Sequence, residues 1–541
     1  MSRSPSRGAR AARAARIAVA AVVLAAAAFG FLAAGDAADF ASRAVASWQL
    51  FPSAERAVAS ALAGFGAGGF VACLAALATL LLSALFGRWY CAALCPLGTL
   101  QDLASLLRGK NRAYRRPKPV ARWIAFASVL CLAAAGATGL ASWLDPWSLF
   151  GRFFSYDLQP LVRIARREDI PGLSVATVVA SGLALAAALL LSYRSGRWFC
   201  GTLCPVGGAL GVLNRLAPLR VRLEPSACLS CGACASVCRA SCIDAAGKRI
   251  DAGRCVNCLA CLGACPTKAI HYGAERRERA AAPKASRPVR EASGLSRGQF
   301  IAALGSGIAA LALAAAPGRA FAAKALGAPT EAGGRDALKP VTPPGSRSLE
   351  SFLGACLACG LCVDRCPSKV LQPSLGQLGL RGFLAPRLDQ GISYCQFDCK
   401  ACLDACPSGA LEKLSLAKKR LTKIGDATLV RERCIVFTNR TKCGACAEHC
   451  PTGAVRMVVG DTGLPEPVFT SSICIGCGAC HHACPVRPDR AISVSGLAVH
   501  TLADSPSPEL FSSPQKGSIK AASGTGSGRA NGAKGADAFP F

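Results

Sequence analysis

The stretch RWYCAALCPLG at residues 88–98 returns almost letter for letter as RWFCGTLCPVG at residues 197–207. Each copy follows a long apolar run, so the copies predict a tandem repeat of helical hairpins, with both cysteines of each motif on one helical face. The thiols are Cys91, Cys95, Cys200 and Cys204. We expect them to form a redox-active or cluster-binding site at one membrane surface. The alternative is structural cysteines at helix ends, each followed by a proline that limits the next helix.

The composition separates this chain from a single soluble domain. It has 541 residues, of which 52% are hydrophobic, together with 31 cysteines and a formal net charge of +31. The cysteines stand in tight groups, as metal ligands do, instead of being spread as disulfide staples. The basic residues gather beside the apolar runs, which predicts contact with a lipid bilayer and no nucleic-acid partner.

Four apolar segments have, or nearly have, the length of about 20 helical residues that crosses a bilayer. They occupy residues 17–34, 68–86, 120–144 and 173–192. Residues 1–226 are therefore predicted to form a four-helix domain in a bacterial inner membrane. Lys and Arg beside the apolar runs favour the cytoplasmic side for both repeated motifs, because cytoplasmic loops carry an excess of these residues.

This membrane domain has no histidine, because all five histidines lie at or beyond His271. The sequence therefore predicts that it binds no haem b. If the domain reacts with quinone, a carboxylate at the outer surface must accept the proton, and Asp145 or Asp157 is the candidate. Asp145 precedes a proline, so a turn residue is the alternative interpretation.

Residues 227–275 contain two motifs of the C-x-x-C-x-x-C-x-x-x-C type, CLSCGACASVC and CVNCLACLGAC. In such motifs three cysteines bind one [4Fe-4S] cluster and the fourth binds the neighbouring cluster. The spacing predicts a dicluster ferredoxin domain, which the basic flanks place in the cytoplasm. One cluster is assigned to Cys228, Cys231, Cys234 and Cys265, and the other to Cys255, Cys258, Cys261 and Cys238.

Residues 276–339 contain a basic linker and then an apolar stretch from Phe300 to Ala316, which together are similar to an export signal in mid-chain. Gly298 stands where a twin-arginine signal has its second arginine. We expect a fifth membrane helix or a cleaved signal, so that the following domain is extracytoplasmic. A helix packed in the cytoplasm is the alternative, because the apolar stretch is short for a span.

Residues 340–498 carry four further groups of four cysteines, each followed by a proline. They predict a four-cluster ferredoxin domain and a total of six [4Fe-4S] clusters, and leave open which motifs exchange ligands. The basic stretch at 412–433 is expected to be a helix or loop, and the tail at 499–541 to be disordered. The ligands are Cys356, Cys359, Cys362, Cys366, Cys395, Cys399, Cys402, Cys406, Cys434, Cys443, Cys446, Cys450, Cys474, Cys477, Cys480 and Cys484.

These motifs carry two resemblances. Residues 1 to about 275 resemble the membrane-bound quinol dehydrogenase subunit of the periplasmic nitrate reductase system, and more loosely the polyferredoxins of nitrous oxide reductase regulation and cytochrome oxidase assembly. Residues 295 to about 498 resemble the exported four-cluster ferredoxin-type subunit of the same nitrate reductase system. The resemblance implies a fusion of both subunits that oxidises menaquinol or ubiquinol and passes electrons to an extracytoplasmic reductase.

We therefore expect an α-helical membrane bundle joined to α+β ferredoxin-like domains. Its main role is predicted to be electron transfer, and its enzymatic role that of a quinol dehydrogenase component. The expected partners are the quinone pool and a reductase or cytochrome. The alternatives are a redox assembly or regulatory factor for a metalloenzyme, a cluster scaffold, and a ferredoxin-linked relay on the cytoplasmic side.

Overall fold

In the computed structural model, the chain forms a helical bundle with a ferredoxin-like domain at each end. The structure describes residues 7–33, 35–54, 56, 67–107, 114–167, 174–274, 338–460 and 463–505. The segment predicted to be an export signal and most of the predicted tail lie outside the described residues.

The bundle is formed by two long helices, two shorter apolar helices and a set of short helices between them. Among the described helices, two are long and apolar enough to cross a membrane, at Arg10–Leu32 and Val175–Ser195. The other two apolar helices offer only the shorter stretches Cys73–Phe86 and Pro119–Ala134, so four spans stay a prediction. The elements are α1 (Arg7–Leu32), α2 (Asp36–Ser47), α3 (Ala67–Phe86), α4 (Trp89–Ala93), α5 (Pro96–Leu107), α6 (Pro119–Ala134), α7 (Thr138–Ala141), α8 (Pro146–Arg152), a π-helical turn (Phe153–Leu158), α9 (Gln159–Ala165), α10 (Val175–Ser195), α11 (Trp198–Thr202) and α12 (Pro205–Leu216).

The third predicted span, at residues 120–144, is too long. Helix α6 ends at Ala134, and Gly136 follows it with a φ of 71°, in the left-handed region that commonly ends helices. The apolar run continues past this point, but it bends into the short helix α7. This turn packs against Arg381 of the C-terminal domain, which donates a hydrogen bond to the Gly136 carbonyl.

Each repeated motif breaks its helix between its two cysteines. Cys91 lies in α4 and Cys200 in α11, whereas Cys95 and Cys204 stand in the breaks before α5 and α12. Cys204 is the N-cap of α12, where its sulfur accepts a hydrogen bond from the Gly207 N–H. The prediction that each pair shares a face of one helix is therefore wrong.

The dicluster domain is formed by short antiparallel strand pairs around its cysteines. Strand β1 pairs with β4, so that Val221 lies opposite Tyr272, and β2 pairs with β3. The pairing of β1 with β4 joins the first and last strands of the domain. The elements are β1 (Arg220–Leu223), α13 (Ala233–Ser236), β2 (Ile243–Asp244), β3 (Arg249–Ile250), a 3-10 helix (Ala260–Gly263) and β4 (Ile270–Gly273).

The C-terminal domain contains three antiparallel strand pairs and short helices that carry the cysteines. The longest pair joins β7 to β10, with Ile492 opposite Leu429. The elements are α14 (Leu349–Ala355), α15 (Leu361–Arg365), β5 (Leu371–Pro373), a 3-10 turn (Leu380–Gly382), β6 (Pro386–Leu388), α16 (Ala401–Ala405), α17 (Leu416–Leu421), β7 (Thr422–Leu429), a 3-10 turn (Arg431–Arg433), α18 (Ile435–Thr438), α19 (Ala445–Glu448), β8 (Val455–Val459), β9 (Pro465–Phe469), a 3-10 turn (Ser471–Ile473), α20 (Ala479–Ala483) and β10 (Ile492–Leu502).

This strand pair corrects two predictions. The basic stretch at residues 412–433 is helical only over α17 and a single 3-10 turn, and its middle forms strand β7. Strand β10 runs to Leu502, so the start predicted for the disordered tail, residue 499, is too early. Both differences have one cause: β7 and β10 pair with each other, so each segment forms a strand.

Candidate iron-sulfur sites

The loops of the four regular cysteine motifs share one backbone conformation. In each, the second and fourth residues after the first cysteine have positive φ angles: Ser230 and Gly232, Asn257 and Leu259, Ala358 and Gly360, Gly476 and Gly478. Alternating left-handed residues turn backbone N–H groups towards one concave surface, which attracts an anionic group. For a residue such as Leu259 this conformation costs about 1–3 kcal/mol, so it indicates that the loop conformation is required by the group that the loop binds.

Backbone N–H groups in two of these loops contact cysteine sulfur directly. Ser230 N–H donates to the sulfur of Cys228, and Ala358 N–H donates to the sulfur of Cys356, each at 3.4 Å. Hydrogen bonds of this kind stabilise thiolate ligands and help to set the reduction potential of a cluster. The loops therefore suit anionic iron-sulfur centres.

One cavity of the dicluster domain encloses the second predicted ligand group. Its empty volume is about 330 Å³, and Cys255, Cys258, Cys261 and Cys238 all line it. Burial raises the pKa of the Cys261 thiol, and the nearby Cys258 and Cys255 act in the same direction. This arrangement brings the fourth ligand from the first motif to the second motif, as the spacing predicts.

The other ligand group of this domain shows the reciprocal exchange. Burial raises the pKa of the Cys234 thiol, and Cys265 and Cys228 act in the same direction. Cys265, which belongs to the second motif, therefore lies beside the cysteines of the first motif. The spare Cys242 lies beside the other group, with its sulfur 3.6 Å from that of Cys238.

In the C-terminal domain, the last cysteine of each of the first two motifs lies beside the other motif. Burial raises the pKa of the Cys356 thiol, and Cys406 is the first of the neighbouring thiols that raise it further. Burial also raises the pKa of the Cys402 thiol, and Cys395 and Cys366 contribute. The groups are therefore Cys356, Cys359, Cys362 and Cys406, and Cys395, Cys399, Cys402 and Cys366.

The last two motifs exchange ligands in the same way. Burial raises the pKa of the Cys434 thiol, with Cys443 and Cys484 adding to it. Burial likewise raises the pKa of the Cys480 thiol, and Cys450 is among the thiols that add to it. Cysteines of consecutive motifs therefore lie beside one another, which favours consecutive pairing among the alternatives that the spacing leaves open. The groups are Cys434, Cys443, Cys446 and Cys484, and Cys474, Cys477, Cys480 and Cys450.

A second cavity tests how well these groups fit a polynuclear centre. It has an empty volume of about 340 Å³, and Cys366, Cys395, Cys399 and Cys402 all line it. Within the described ranges, no three His, Cys, Asp or Glu side chains converge closely enough to hold a single metal ion. A mononuclear site needs sulfur atoms about 2.3 Å from one point. Four thiols spread around one cavity fit a cubane instead.

The four cysteines of the repeated motif lie together in the bundle. Cys91, Cys95, Cys200 and Cys204 are 3–5% exposed and belong to one apolar core with Leu149 and Phe199. Every pair among them is within electrostatic reach. The structure therefore brings together the four cysteines that the repetition predicts to lie together. We call these four residues the bundle cysteine group.

Arginine side chains around the bundle cysteine group are functional candidates that the sequence reasoning missed. Arg88 donates to the Cys200 carbonyl at 3.0 Å, and Arg197 donates to the Cys91 carbonyl. Arg197 also binds the Asp102 carboxylate at 2.7 Å, and Arg239 binds the same carboxylate. The signal was present, because both RW(Y/F)C copies begin with an arginine and Arg239 stands where the other motifs have proline.

Asp145 is a helix cap. It is fully buried, and one carboxylate oxygen accepts hydrogen bonds from the N–H of Ser148 at 2.8 Å and from its hydroxyl at 2.7 Å. The other oxygen has no hydrogen-bond partner among the described residues. Burial raises the pKa of Asp145 to about 6. The turn interpretation is confirmed, because Asp145 is the N-cap of α8, and the proton role stays a prediction.

The C-terminal domain docks on the connections at residues 35–54 and 135–167 through buried polar contacts. Arg163 binds Asp364 at 3.0 Å, and Arg365 binds Asp39 at 2.7 Å. Arg152 donates to the Ala358 carbonyl at 3.0 Å, within the first cluster loop. These contacts place one ligand group of the domain directly on α8.

Protein-family models match most of the cysteine-rich segments. A 4Fe-4S binding domain matches residues 69–114 and 177–224, which hold the two repeated motifs. Two further 4Fe-4S binding domains match residues 225–241 and 248–271. 4Fe-4S dicluster domains match residues 355–411, 394–454 and 439–487. Iron-sulfur cluster binding is therefore supported along the chain.

Curated relatives include ferredoxin-type proteins from several bacteria. The ferredoxin-type protein NapF of Escherichia coli (strain K12) is 30% identical over 167 residues, which are 31% of this chain and 91% of NapF. The methylamine utilization ferredoxin-type protein MauM of Methylorubrum extorquens is 32% identical over 171 residues, 30% of this chain and 76% of MauM. The putative electron transport protein YccM of Escherichia coli (strain K12) is 27% identical over 169 residues, 31% of this chain and 45% of YccM.

No solved structure matches the chain. The ferredoxin relatives and the 4Fe-4S domains agree with the ligand groups, and they support iron-sulfur electron transfer. This chain belongs to the family of ferredoxin-type iron-sulfur proteins represented by NapF and MauM.

Proposed function

We propose that the chain is a membrane-bound relay that carries electrons between the quinone pool and an extracytoplasmic reductase or cytochrome, through six [4Fe-4S] clusters. It joins in one chain the activities of a membrane quinol dehydrogenase subunit and a four-cluster ferredoxin-type subunit. The observation that carries the proposal is that the two ferredoxin-like domains contact opposite ends of the helical bundle.

Helix α1 connects the two ends. Near its start, Arg16 donates to the Ala92 carbonyl at 2.9 Å, beside the first repeated motif. Near its end, the Gly30 carbonyl accepts a hydrogen bond from Arg365 of the C-terminal domain. Since a helix rises 1.5 Å per residue, about 20 Å separates these contacts. The apolar part of α1 therefore lies between the ferredoxin domains.

Helix α10 makes the same connection with opposite polarity. Its Ser181 hydroxyl donates to Asp157 at 2.6 Å, in the π-helical turn on which the C-terminal domain packs. Just after its other end, the Arg197 N–H donates to the Arg239 carbonyl of the dicluster domain at 2.8 Å. The two helices that are long enough to span a membrane thus both run between the domains, which favours a bilayer around the bundle.

The distribution of charge favours one orientation. Basic residues that flank the apolar helices, such as Arg115, Arg194 and Arg215, belong to the end that carries the dicluster domain. The connections at the other end, residues 35–67 and 145–172, carry seven acidic and six basic residues and are therefore close to neutral. Because Lys and Arg are enriched in cytoplasmic loops, the dicluster domain is cytoplasmic and the C-terminal domain extracytoplasmic. In this orientation the chain crosses the membrane between residues 274 and 338, a segment outside the described residues.

Quinol is proposed to react near Asp145. Arg152 lies within electrostatic reach of this carboxylate and of Cys356 and Cys359, so Asp145 is close to the first ligand group of the C-terminal domain. Its free carboxylate oxygen would accept one of the two protons that quinol releases on oxidation, and the two electrons would leave one at a time towards the cluster. A cubane carries electrons only, so a separate proton acceptor is required.

The orientation is tested by protease cleavage sites placed in two hairpin turns of the full chain. One site replaces the turn between β8 and β9, and the matched control replaces the turn between β2 and β3. In spheroplasts, protease added outside should cut the first site and spare the second, and lysed cells should show both cuts. Protection of both sites in spheroplasts would contradict the export and favour a relay on the cytoplasmic side.

The quinol step is tested on membranes that contain the full chain. Addition of a menaquinol analogue should reduce the clusters, and an artificial acceptor should make its oxidation catalytic. A redox assembly factor or a cluster scaffold, in contrast, would show no catalytic quinol oxidation. That result would reject the relay from quinol.

A further inference from the structure

We propose that Cys91, Cys95, Cys200 and Cys204 together bind one additional [4Fe-4S] cluster, which the two repeated motifs share and which connects the two ferredoxin-like domains electronically. This goes beyond the six-cluster relay, because those six clusters use only the cysteines of the ferredoxin motifs.

The first support is the convergence of the thiols. Each repeat contributes one cysteine from a short helix and one from the following break, and every pair of the four is within electrostatic reach. All four are free thiols, not disulfides.

The second support is a two-fold arrangement of donors around the thiols. Gly98 N–H donates to the sulfur of Cys95 and Gly207 N–H to that of Cys204, both at 3.4 Å. The two arginines of the repeat cross over, since each binds a cysteine carbonyl of the other copy. The repeats therefore form one site together, and neither copy forms it alone.

The glycines show how tightly this site is enclosed. A Cβ atom added to Gly207 would collide with the Cys200 carbonyl oxygen and lie 2.8 Å from an Arg88 nitrogen. A Cβ added to Gly98 would lie 2.5 Å from the Cys91 carbonyl oxygen and 3.2 Å from Arg197. Glycine at positions 98 and 207 therefore lets each backbone lie close to the turn that carries the first cysteine of the same motif.

The third support is an excess of buried positive charge. Arg88 and Arg197 are 0% and 1% exposed. Arg16, Arg197 and Arg239 all bind the single carboxylate of Asp102, and Arg88 lies 3.7 Å from the sulfur of Cys91. Buried charge is costly unless it is compensated. A cubane with four thiolate ligands is anionic and would supply the compensation, whereas neutral thiols or disulfides would not.

Unsatisfied donors point to the same conclusion. Within the described part of the chain, Arg88 Nε and Arg197 Nη2 are buried without a hydrogen-bond partner. Buried polar groups are nearly always hydrogen-bonded in folded proteins, so such donors indicate a missing acceptor. The sulfur atoms of a cluster are acceptors of the required kind.

The location gives this cluster its role. Cys258 of the dicluster domain belongs to the same apolar core as the bundle cysteine group. Leu149 of α8 belongs to the same core. Gly151, two residues further along α8, packs against the backbone of Cys359, since a Cβ added there would lie 2.9 Å from the Cys359 carbonyl oxygen. The additional cluster therefore stands between a ligand group of each domain. It accepts one electron from one neighbouring cluster and passes it to the other, without forming or breaking a bond.

The test uses the full chain, purified anaerobically, and compares wild type with the double variant C91S/C200S. Iron and acid-labile sulfide should each fall by about four atoms per chain, while the signals of the remaining clusters persist. The control C73S/C131S replaces two cysteines of apolar helices and should leave both counts unchanged. Equal counts in wild type and C91S/C200S would overturn the inference and leave the six-cluster relay intact.

A second measurement on the wild-type protein tests the proposal even if the double variant C91S/C200S fails to fold. In native wild type, alkylation followed by mass spectrometry should leave the bundle cysteine group unmodified until iron is chelated, and all four should then become modified together. Disulfides at these positions, or modification before chelation, would overturn the inference. A wild-type protein with only about two clusters would instead contradict the proposed relay.

Discussion

The replacement Asp102→Asn should detach the dicluster domain from the bundle. Asp102 is 5% exposed and binds Arg197 of the second repeat at 2.7 Å, Arg16 of α1 at 3.5 Å, and Arg239 of the dicluster domain. The asparagine has nearly the same shape but no charge, so three arginines lose their shared counterion. Removal of one partner from a buried ion pair costs about 3–5 kcal/mol.

The assay is unfolding of the full chain in detergent, followed by the loss of cluster absorbance as denaturant increases. Asp102→Asn should lower the apparent free energy of unfolding of the dicluster domain by about 3–5 kcal/mol. The matched control is Asp157→Asn, because Asp157 accepts from Ser181 at 2.6 Å and the amide oxygen still accepts. The control should change by less than about 1 kcal/mol. Equal behaviour of the two variants would refute the reasoning.

The remaining predictions concern ligand exchange, docking and proton transfer. Cys356→Ser and Cys406→Ser should abolish the same electron paramagnetic resonance signal, and Cys366→Ser a different one; distinct losses for the first two would reject the pairing of consecutive motifs. Arg163→Ala with Arg365→Ala removes one partner from each of two buried ion pairs, at a cost of about 3–5 kcal/mol each, so after cleavage at a protease site engineered between residues 275 and 337 the C-terminal domain should dissociate from the bundle. Lys400→Ala breaks an exposed pair with Asp404, 3.2 Å apart, and should not release the domain; equal retention in both variants would argue against this interface. Because burial raises the pKa of Asp145 to about 6, its carboxyl is mostly protonated at pH 5 and mostly ionised at pH 7, so quinol oxidation should rise between these values. Asp145→Asn should remove that rise, and an unchanged pH profile would exclude the proton role.

The ligand groups of the dicluster domain follow from spacing, but those of the C-terminal domain do not. Two adjacent motifs can exchange ligands in one way, which fixed Cys238 and Cys265 at the sequence level. Four motifs allow several exchanges, and the choice depends on which loops meet in space. The structure favours consecutive pairing, because Cys406 lies beside Cys356, and Cys484 beside Cys434.

Element boundaries depended on contacts between distant segments. The apolar run at 120–144 reads as one span, yet Gly136 ends the helix where Arg381 docks. Strand β7 carries Lys423 and Asp426 and resembles a solvated helix, and it becomes a strand because β10 pairs with it. Local sequence does not show such long-range partners, so tertiary pairing overrides propensity.

The repeated motif was recognised from its letters, whereas the crossed arginine contacts were not. The repetition of Arg88 and Arg197 was visible, but their role requires the two copies to face each other. Only then does each guanidinium reach a carbonyl of the other copy. Charge that is buried by the meeting of two distant segments has no local signature.

The most direct test of the central claim is a count of reducible cubane centres in the full chain, purified without oxygen. Iron and acid-labile sulfide are measured together with the spin concentration of the reduced protein by electron paramagnetic resonance. The account predicts at least six [4Fe-4S] clusters, each with about four iron atoms, that respond to reductant. About two clusters, or iron that gives no reducible cubane signal, would contradict it.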